Sequence, residues 1–158
     1  MRDLENRLAE KKYAVYQPMI DLLSKMLDLD AARAADPDEL KSAFGKFDAW
    51  IVIYGSDAAV RAWHHFRQGS FNDAPSILLI RFYADFVMAA RRDMGHLDTT
   101  VSAMELVGTR INDIYGENNE MATVLTLDWV DLAKHVDWTP PWMADRSKTE
   151  VESARSPA

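Results

Sequence analysis

Residues 77–90 constrain the fold of this chain more than any other segment. Only two of the fourteen residues, Arg81 and Asp85, are charged, so the segment belongs in a protein core. The two charged residues stand four positions apart, which is the spacing of an ion pair along one face of a helix. We therefore predict a central helix over residues 76–94, ended by Gly95.

Helix-capping signals divide much of the remaining sequence into further helices. Asp36, Ser56 and Ser102 carry side chains that cap helix N-termini. Gly55 and Gly116 are expected to end helices, Gly55 in the left-handed conformation. The predicted helices cover about residues 2–29 with a kink at Pro18, 37–54, 57–68 ended by Gly69, 76–94, 102–115, and 127–136 capped by Thr126. Residues 121–125 fit either an extended or a helical segment, and residues 138–142 are predicted to be non-helical.

These elements predict an all-α fold, because no segment alternates apolar and polar residues as a half-buried strand does. A chain of 158 residues has the length of one domain. We expect a single-domain bundle of five or six helices over residues 1–143. Residues 144–158 are polar and are predicted to form a disordered tail.

Composition limits the partners and the compartment. The net charge is −7, and residues 113–137 hold six acidic side chains against Lys134 alone, so we expect no duplex nucleic acid partner. No apolar run approaches the ~20 residues of a membrane span. The N-terminus lacks the apolar stretch of a signal peptide, and the chain has no cysteine. We therefore predict a cytoplasmic protein without disulfides.

A block of polar residues, Arg91-Arg-Asp-Met-Gly-His96, follows the central helix. Asp93 lies on the helical line of Phe82 and Phe86, so its carboxylate needs a partner to offset the cost of burial. Candidate partners are Arg91, Arg92, Arg110 and the first amides of the helix that Ser102 caps. The predicted structural polar network comprises Arg91, Arg92, Asp93, Asn112 and Asp113.

Adjacent histidines and three C-terminal tryptophans are further candidates for a site. His64 and His65 are adjacent in a helix and point about 100° apart, so they are poorly placed to share a metal ion. We predict no metal and no cofactor. Trp129, Trp138 and Trp142 either form an exposed patch for a protein partner or cover a flank of the bundle.

Three blocks of this sequence resemble an uncharacterised family of all-helical bacterial proteins. They are Tyr54-Gly-Ser-Asp57 with Val60 and Trp63, Arg91-Arg-Asp-Met-Gly-His96, and Ile111-Asn-Asp-Ile114. Glu10-Lys-Lys-Tyr13 and Val15-Tyr16 add to the resemblance. The resemblance covers about residues 5–115, whereas residues 117–158 depart from the pattern. It implies a helical fold and carries no activity.

The spacing Arg91-x4-His96 is also similar to the arginine-x4–6-histidine motif of HEPN domains, helical ribonucleases that often act as dimers. That resemblance implies that Arg91 binds phosphate, that His96 is the general acid or base, and that Asp93 orients it. Gly95 between them departs from the motif's usual helical setting.

Together these observations predict a non-catalytic protein that acts through a protein partner or by self-association. The alternative is a metal-independent ribonuclease that uses Arg91 and His96, in which case RNA is the partner. A third possibility is a small-ligand sensor in a cavity of the bundle, because eight methionines offer adaptable packing.

Overall fold

A computed structural model describes residues 1–117 and 119–144 of the chain. Within this part the chain is helical and contains no strand, which confirms the all-α prediction. The helices are α1 (Arg2–Met26), α2 (Leu29–Ala34), α3 (Pro37–Tyr54), α4 (Asp57–Phe71), α5 (Leu78–Asp93), α6 (Ala103–Gly108), α7 (Glu120–Thr126) and α8 (Trp129–Val136).

Helix α5 is the centre of the bundle, as its apolar sequence predicts. It packs against α1, α4, α6 and α7. Phe86 of α5 is fully buried, and its ring meets those of Tyr16 from α1 and Phe47 from α3. The described helices therefore share one hydrophobic core.

The predicted N-caps of α3, α4 and α6 are confirmed. The side chains of Asp36 and Ser56 accept hydrogen bonds from the first amides of α3 and α4. Ser102 and Glu105 form a reciprocal capping box at α6. Gly95 has a φ of 111° and ends the central helix as predicted. Gly55 ends α3 as predicted, but the predicted left-handed conformation was wrong, because its φ is −76°. Glycine is needed there because a Cβ would lie 2.7 Å from the Ile51 carbonyl oxygen.

Several helix boundaries differ from the prediction. Helix α1 ends at Met26, because Asp28 caps a separate short helix, α2. Helix α4 continues past Gly69 to Phe71, and α5 begins at Leu78. Helix α6 ends at Gly108 instead of Tyr115. The chain then turns so that Ile114 becomes buried, with its Cγ2 3.3 Å from where a Cβ on Gly108 would lie.

The C-terminal third also adopts more helix than predicted. Residues 120–126 are helical, and Asp128 caps α8 in place of Thr126. Residues 138–140 are non-helical as predicted, but residues 141–144 are helical, so the prediction was wrong for positions 141 and 142. Pro141 begins this last helical segment, a position where its missing N–H costs little. Apart from Ala144, the predicted disordered tail lies outside the described residues.

No helix in the described ranges combines the length and the hydropathy that crossing a membrane requires.

Candidate functional site

Asp93, in the last turn of α5, is the centre of a polar cluster that joins three helices. Its Oδ1 lies 2.6 Å from Nζ of Lys12, and its Oδ2 accepts hydrogen bonds from the Tyr16 hydroxyl at 2.7 Å and the Ser56 amide at 3.2 Å. The Asp93 side chain is only 6% exposed. Lys12 and Tyr16 are one turn apart on α1, so a single face of α1 supplies two of the three donors. We call these four residues the Asp93 cluster.

The contacts within the cluster shift the pKa values of Asp93 and Tyr16. Burial by itself raises the pKa of the Asp93 carboxyl, but the hydrogen bonds from Lys12, Tyr16 and the Ser56 amide outweigh burial and lower the pKa below its usual value. Burial and the adjacent carboxylate raise the pKa of the Tyr16 hydroxyl. The cluster is therefore an ionised carboxylate held by a cation and two neutral donors, an arrangement that stabilises helix packing.

The other members of the predicted network lie elsewhere, so its predicted membership was wrong. Arg91 Nε donates to Thr99 Oγ1 at 3.1 Å, and Arg92 is exposed. Asn112 and Asp113 are exposed in the turns after α6. Successive helical residues point about 100° apart, so Asp93 faces α1 while its arginine neighbours face away. The missed signal was Lys12 one turn before Tyr16, on the apolar stripe of α1.

A cleft of about 610 Å³ lies between α1 and α6, with α5 as its floor. Arg91 and His96 both line it, at the end where α5 stops. Glu105 of α6 lines the cleft too, but its Oε1 accepts a hydrogen bond from the Ser102 amide. The sequence block 91–96 is thus divided between two places, with Asp93 in the packed cluster and Arg91 and His96 at the cleft.

The separation of Asp93 from Arg91 and His96 affects the roles that the HEPN resemblance implies. Arg91 and His96 share one open cleft, as a phosphate ligand and an acid or base would. Asp93 does not fill the orienting role, because both its carboxylate oxygens bind residues of the Asp93 cluster.

The C-terminal tryptophans cover a flank of the bundle, which was one of the two predicted alternatives. Trp129, Trp138 and Trp142 are partly buried against the core. The ring of Trp142 stacks on His65 with centroids 4.0 Å apart. Burial, followed by the positive charges of neighbouring side chains, lowers the pKa of His65 to about 4, so this ring is neutral at pH 7.

The predicted pair of Arg81 and Asp85 is confirmed, with Arg81 Nε 3.1 Å from both carboxylate oxygens. Arg81 Nη1 also donates to the backbone oxygens of Val124 at 2.9 Å and Leu127 at 2.6 Å. These two bonds attach the C-terminal end of α7 to the central helix. The Arg81 guanidinium carbon also lies 5.2 Å from the ring centroid of Trp129, the first residue of α8.

In the described part of the chain, no group of three or more histidine, aspartate or glutamate side chains is arranged to hold a metal ion. The sequence matches no protein-family model, no curated protein and no solved structure. The family resemblance of the three sequence blocks therefore stays a prediction.

Proposed function

We propose that the protein is a non-catalytic interaction protein that self-associates through the N-terminal end of α1. The observation that supports this most directly is the exposure of that end. Residues 1–11 are all exposed, and the side chains of Leu4 and Leu8 are 75% and 47% accessible. These two leucines stand four residues apart, so they form one apolar edge on a helix of about three turns.

The Asp93 cluster attaches α1 to the bundle only from Lys12 onward, so the apolar edge formed by Leu4 and Leu8 is free to contact a partner. Lys12 and Tyr16 attach α1 to Asp93 of α5, and residues 1–11, which precede this attachment, are all exposed. A helix with few tertiary contacts gains little stability from propensity alone, so burial of its apolar edge against a partner would stabilise it. Exposed apolar surface of this kind typically marks an interaction site.

Charge favours a second copy of the chain as the partner. Residues 1–12 carry four basic and three acidic side chains, a net charge of +1. Because the whole chain has a net charge of −7, the remaining residues have a net charge of −8. Two copies that meet through their acidic bodies would repel each other. Two copies that meet through α1 place their nearly neutral segments together and keep the acidic bodies apart.

The end of α3 offers additional apolar surface at the same end of the molecule. Tyr54 stacks on Trp50, which in turn meets Tyr16 of α1, so α3 ends beside the point where α1 leaves the bundle. Ile53 and Tyr54 are 72% and 50% exposed. A stable interface buries about 1,200–2,000 Å² in total, more than three helical turns supply alone. We therefore expect the α3 end to contribute and the dimer to be weak.

Sedimentation equilibrium tests this proposal. The mean mass of the wild-type chain should rise from 18.0 kDa toward twice that value as its concentration increases from about 10 to about 500 µM. Leu8→Glu should abolish the rise, because it places a charge on the apolar edge. Val130→Glu is the matched control, since Val130 is an exposed apolar residue on a different helix, α8. A monomeric wild type, or equal behaviour of the two variants, would exclude the proposal.

A second candidate function, metal-independent ribonuclease, is favoured by one observation, the shared cleft of Arg91 and His96. Incubation of the protein with mixed RNA tests it. Cleavage that disappears in His96→Ala and in Arg91→Ala, but persists in Arg92→Ala, would support the ribonuclease over the non-catalytic function. Absence of cleavage by the wild-type chain would remove this candidate.

A further inference from the structure

The cleft between α1 and α6 has the size and lining of a small-molecule site. Its volume of about 610 Å³ lies within the ~300–1,000 Å³ that is usual for ligand pockets. Val87 and Ala90 of α5 form part of its floor, and Ile20 and Leu106 line its sides. These apolar side chains favour a ligand with an apolar body.

Aromatic side chains also line the cleft. Tyr13 from α1 and Tyr83 from α5 both border it. Tyr13 is more than half exposed, and a ligand that packs against its ring would bury apolar area that is now in water. A flat aromatic or an aliphatic body would suit this lining.

Arg91 supplies the polar determinant. Its Nε is bound to Thr99 Oγ1, which orients the guanidinium group at the end of the cleft. No hydrogen bond joins either terminal nitrogen of Arg91 to another of residues 1–117 and 119–144. An oriented guanidinium with two available nitrogens matches the two oxygens of a carboxylate or phosphate group. Glu105 lies in the same cleft, but its Oε1 is engaged by the Ser102 amide.

We propose that this cleft binds a small molecule with an apolar or aromatic body and one carboxylate or phosphate group, which Arg91 binds in bidentate fashion. This site is separate from the apolar edge of α1, and it does not depend on self-association.

Fluorescence titration with 8-anilinonaphthalene-1-sulfonate tests the site, because this probe combines an aromatic body with an anionic group. The wild-type chain should give saturable binding. Arg91→Gln should weaken binding about tenfold, since hydrogen bonds to a charged group are lost. Arg92→Gln is the matched control, because Arg92 is the neighbouring arginine, is exposed and does not line the cleft. Gln17→Trp, an exposed position of α1 at the cleft, should obstruct the site without disturbing the core.

Competition separates the chemical classes. Octanoate and octyl phosphate should displace the probe, and because they share one body, the better competitor shows whether the cleft prefers a carboxylate or a phosphate. Uncharged 1-octanol should compete poorly. Leu8→Glu shows whether the probe binds to α1 instead, since probe binding at the cleft should be unchanged in that variant. Equal effects of Arg91→Gln and Arg92→Gln, or equal competition by octanoate and 1-octanol, would overturn the assignment.

Discussion

Replacing Asp93 with asparagine keeps the size of the side chain and removes the charge on which the Asp93 cluster depends. In the wild-type chain the carboxylate accepts hydrogen bonds from Lys12, Tyr16 and the Ser56 amide, all as donors. An asparagine amide has one oxygen and one NH2 group. If the asparagine oxygen stays with Tyr16 and Ser56, the NH2 group faces the ammonium of Lys12. If the amide turns by about 180°, the NH2 group faces the Tyr16 hydroxyl and the Ser56 amide instead.

The cost of Asp93→Asn follows from these contacts. A hydrogen bond to a charged group contributes about 1.5–3 kcal/mol, and an unpaired donor costs about 1–3 kcal/mol. Lys12 can turn its ammonium toward water, which recovers part of the loss, because its side chain is 19% exposed. We expect the free energy of unfolding to fall by about 3 kcal/mol. The melting temperature should fall by about 6–12 °C for a domain of this size.

Urea unfolding followed by circular dichroism measures this change. Asp98→Asn is the matched control, because Asp98 is an exposed aspartate five positions further along the chain. If Asp93→Asn lowers the free energy of unfolding by no more than Asp98→Asn does, the cluster does not hold α1 in place and the reasoning is refuted.

The difference in unfolding free energy between the wild-type chain and Asp93→Asn should depend on pH. The hydrogen bonds lower the pKa of folded Asp93 below 3.8, so its charge stabilises the fold above that pH. This contribution is lost as the pH falls through the folded pKa. The difference in stability between wild type and Asp93→Asn should therefore be constant near neutrality and narrow below pH 3.8. A stability difference that widens below pH 3.8 would contradict a lowered pKa of Asp93.

Two further substitutions test the packing, Gly69→Ala by urea unfolding and Arg81→Met by amide hydrogen exchange. Gly69→Ala should lower the free energy of unfolding by about 1–3 kcal/mol, because its Cβ would lie 2.6 Å from the Phe82 ring. The control Gly45→Ala, in open space within α3, should instead raise it by up to about 1 kcal/mol, and equal effects would contradict the contact. Arg81→Met should speed amide hydrogen exchange in α7 and α8, whereas Arg92→Met should not; unchanged exchange in Arg81→Met would show that the arginine does not attach these helices.

The parts of this fold that the sequence predicts are those fixed within a few residues. Ser102 and Glu105 form their capping box because each reaches the backbone amide of the other. Gly95 ends α5 because it adopts a positive φ at low cost. Such contacts depend on local spacing, so they can be read without knowledge of the tertiary structure.

The partners of Asp93 could not be read in this way. The apolar line that Asp93 shares with Phe86 shows that the carboxylate is buried and needs donors. The donors themselves come from Lys12 and Tyr16, 81 and 77 positions earlier in the chain. Their approach depends on how α1 packs against α3 and α5, which is set by packing of the whole core. Sequence neighbours such as Arg91 are close in number but face another direction.

The proposed function depends on contact between two copies of the chain through the outer part of α1. Because the chain has no cysteine, a single spin label can be attached through Glu5→Cys, with Val130→Cys on α8 as the control. Packed helices lie about 8–10 Å apart, so dipolar spectroscopy on concentrated Glu5→Cys protein should give label separations below about 30 Å. The Val130→Cys protein should give longer separations. Absence of dipolar coupling at position 5, or shorter separations at position 130, would contradict association through α1.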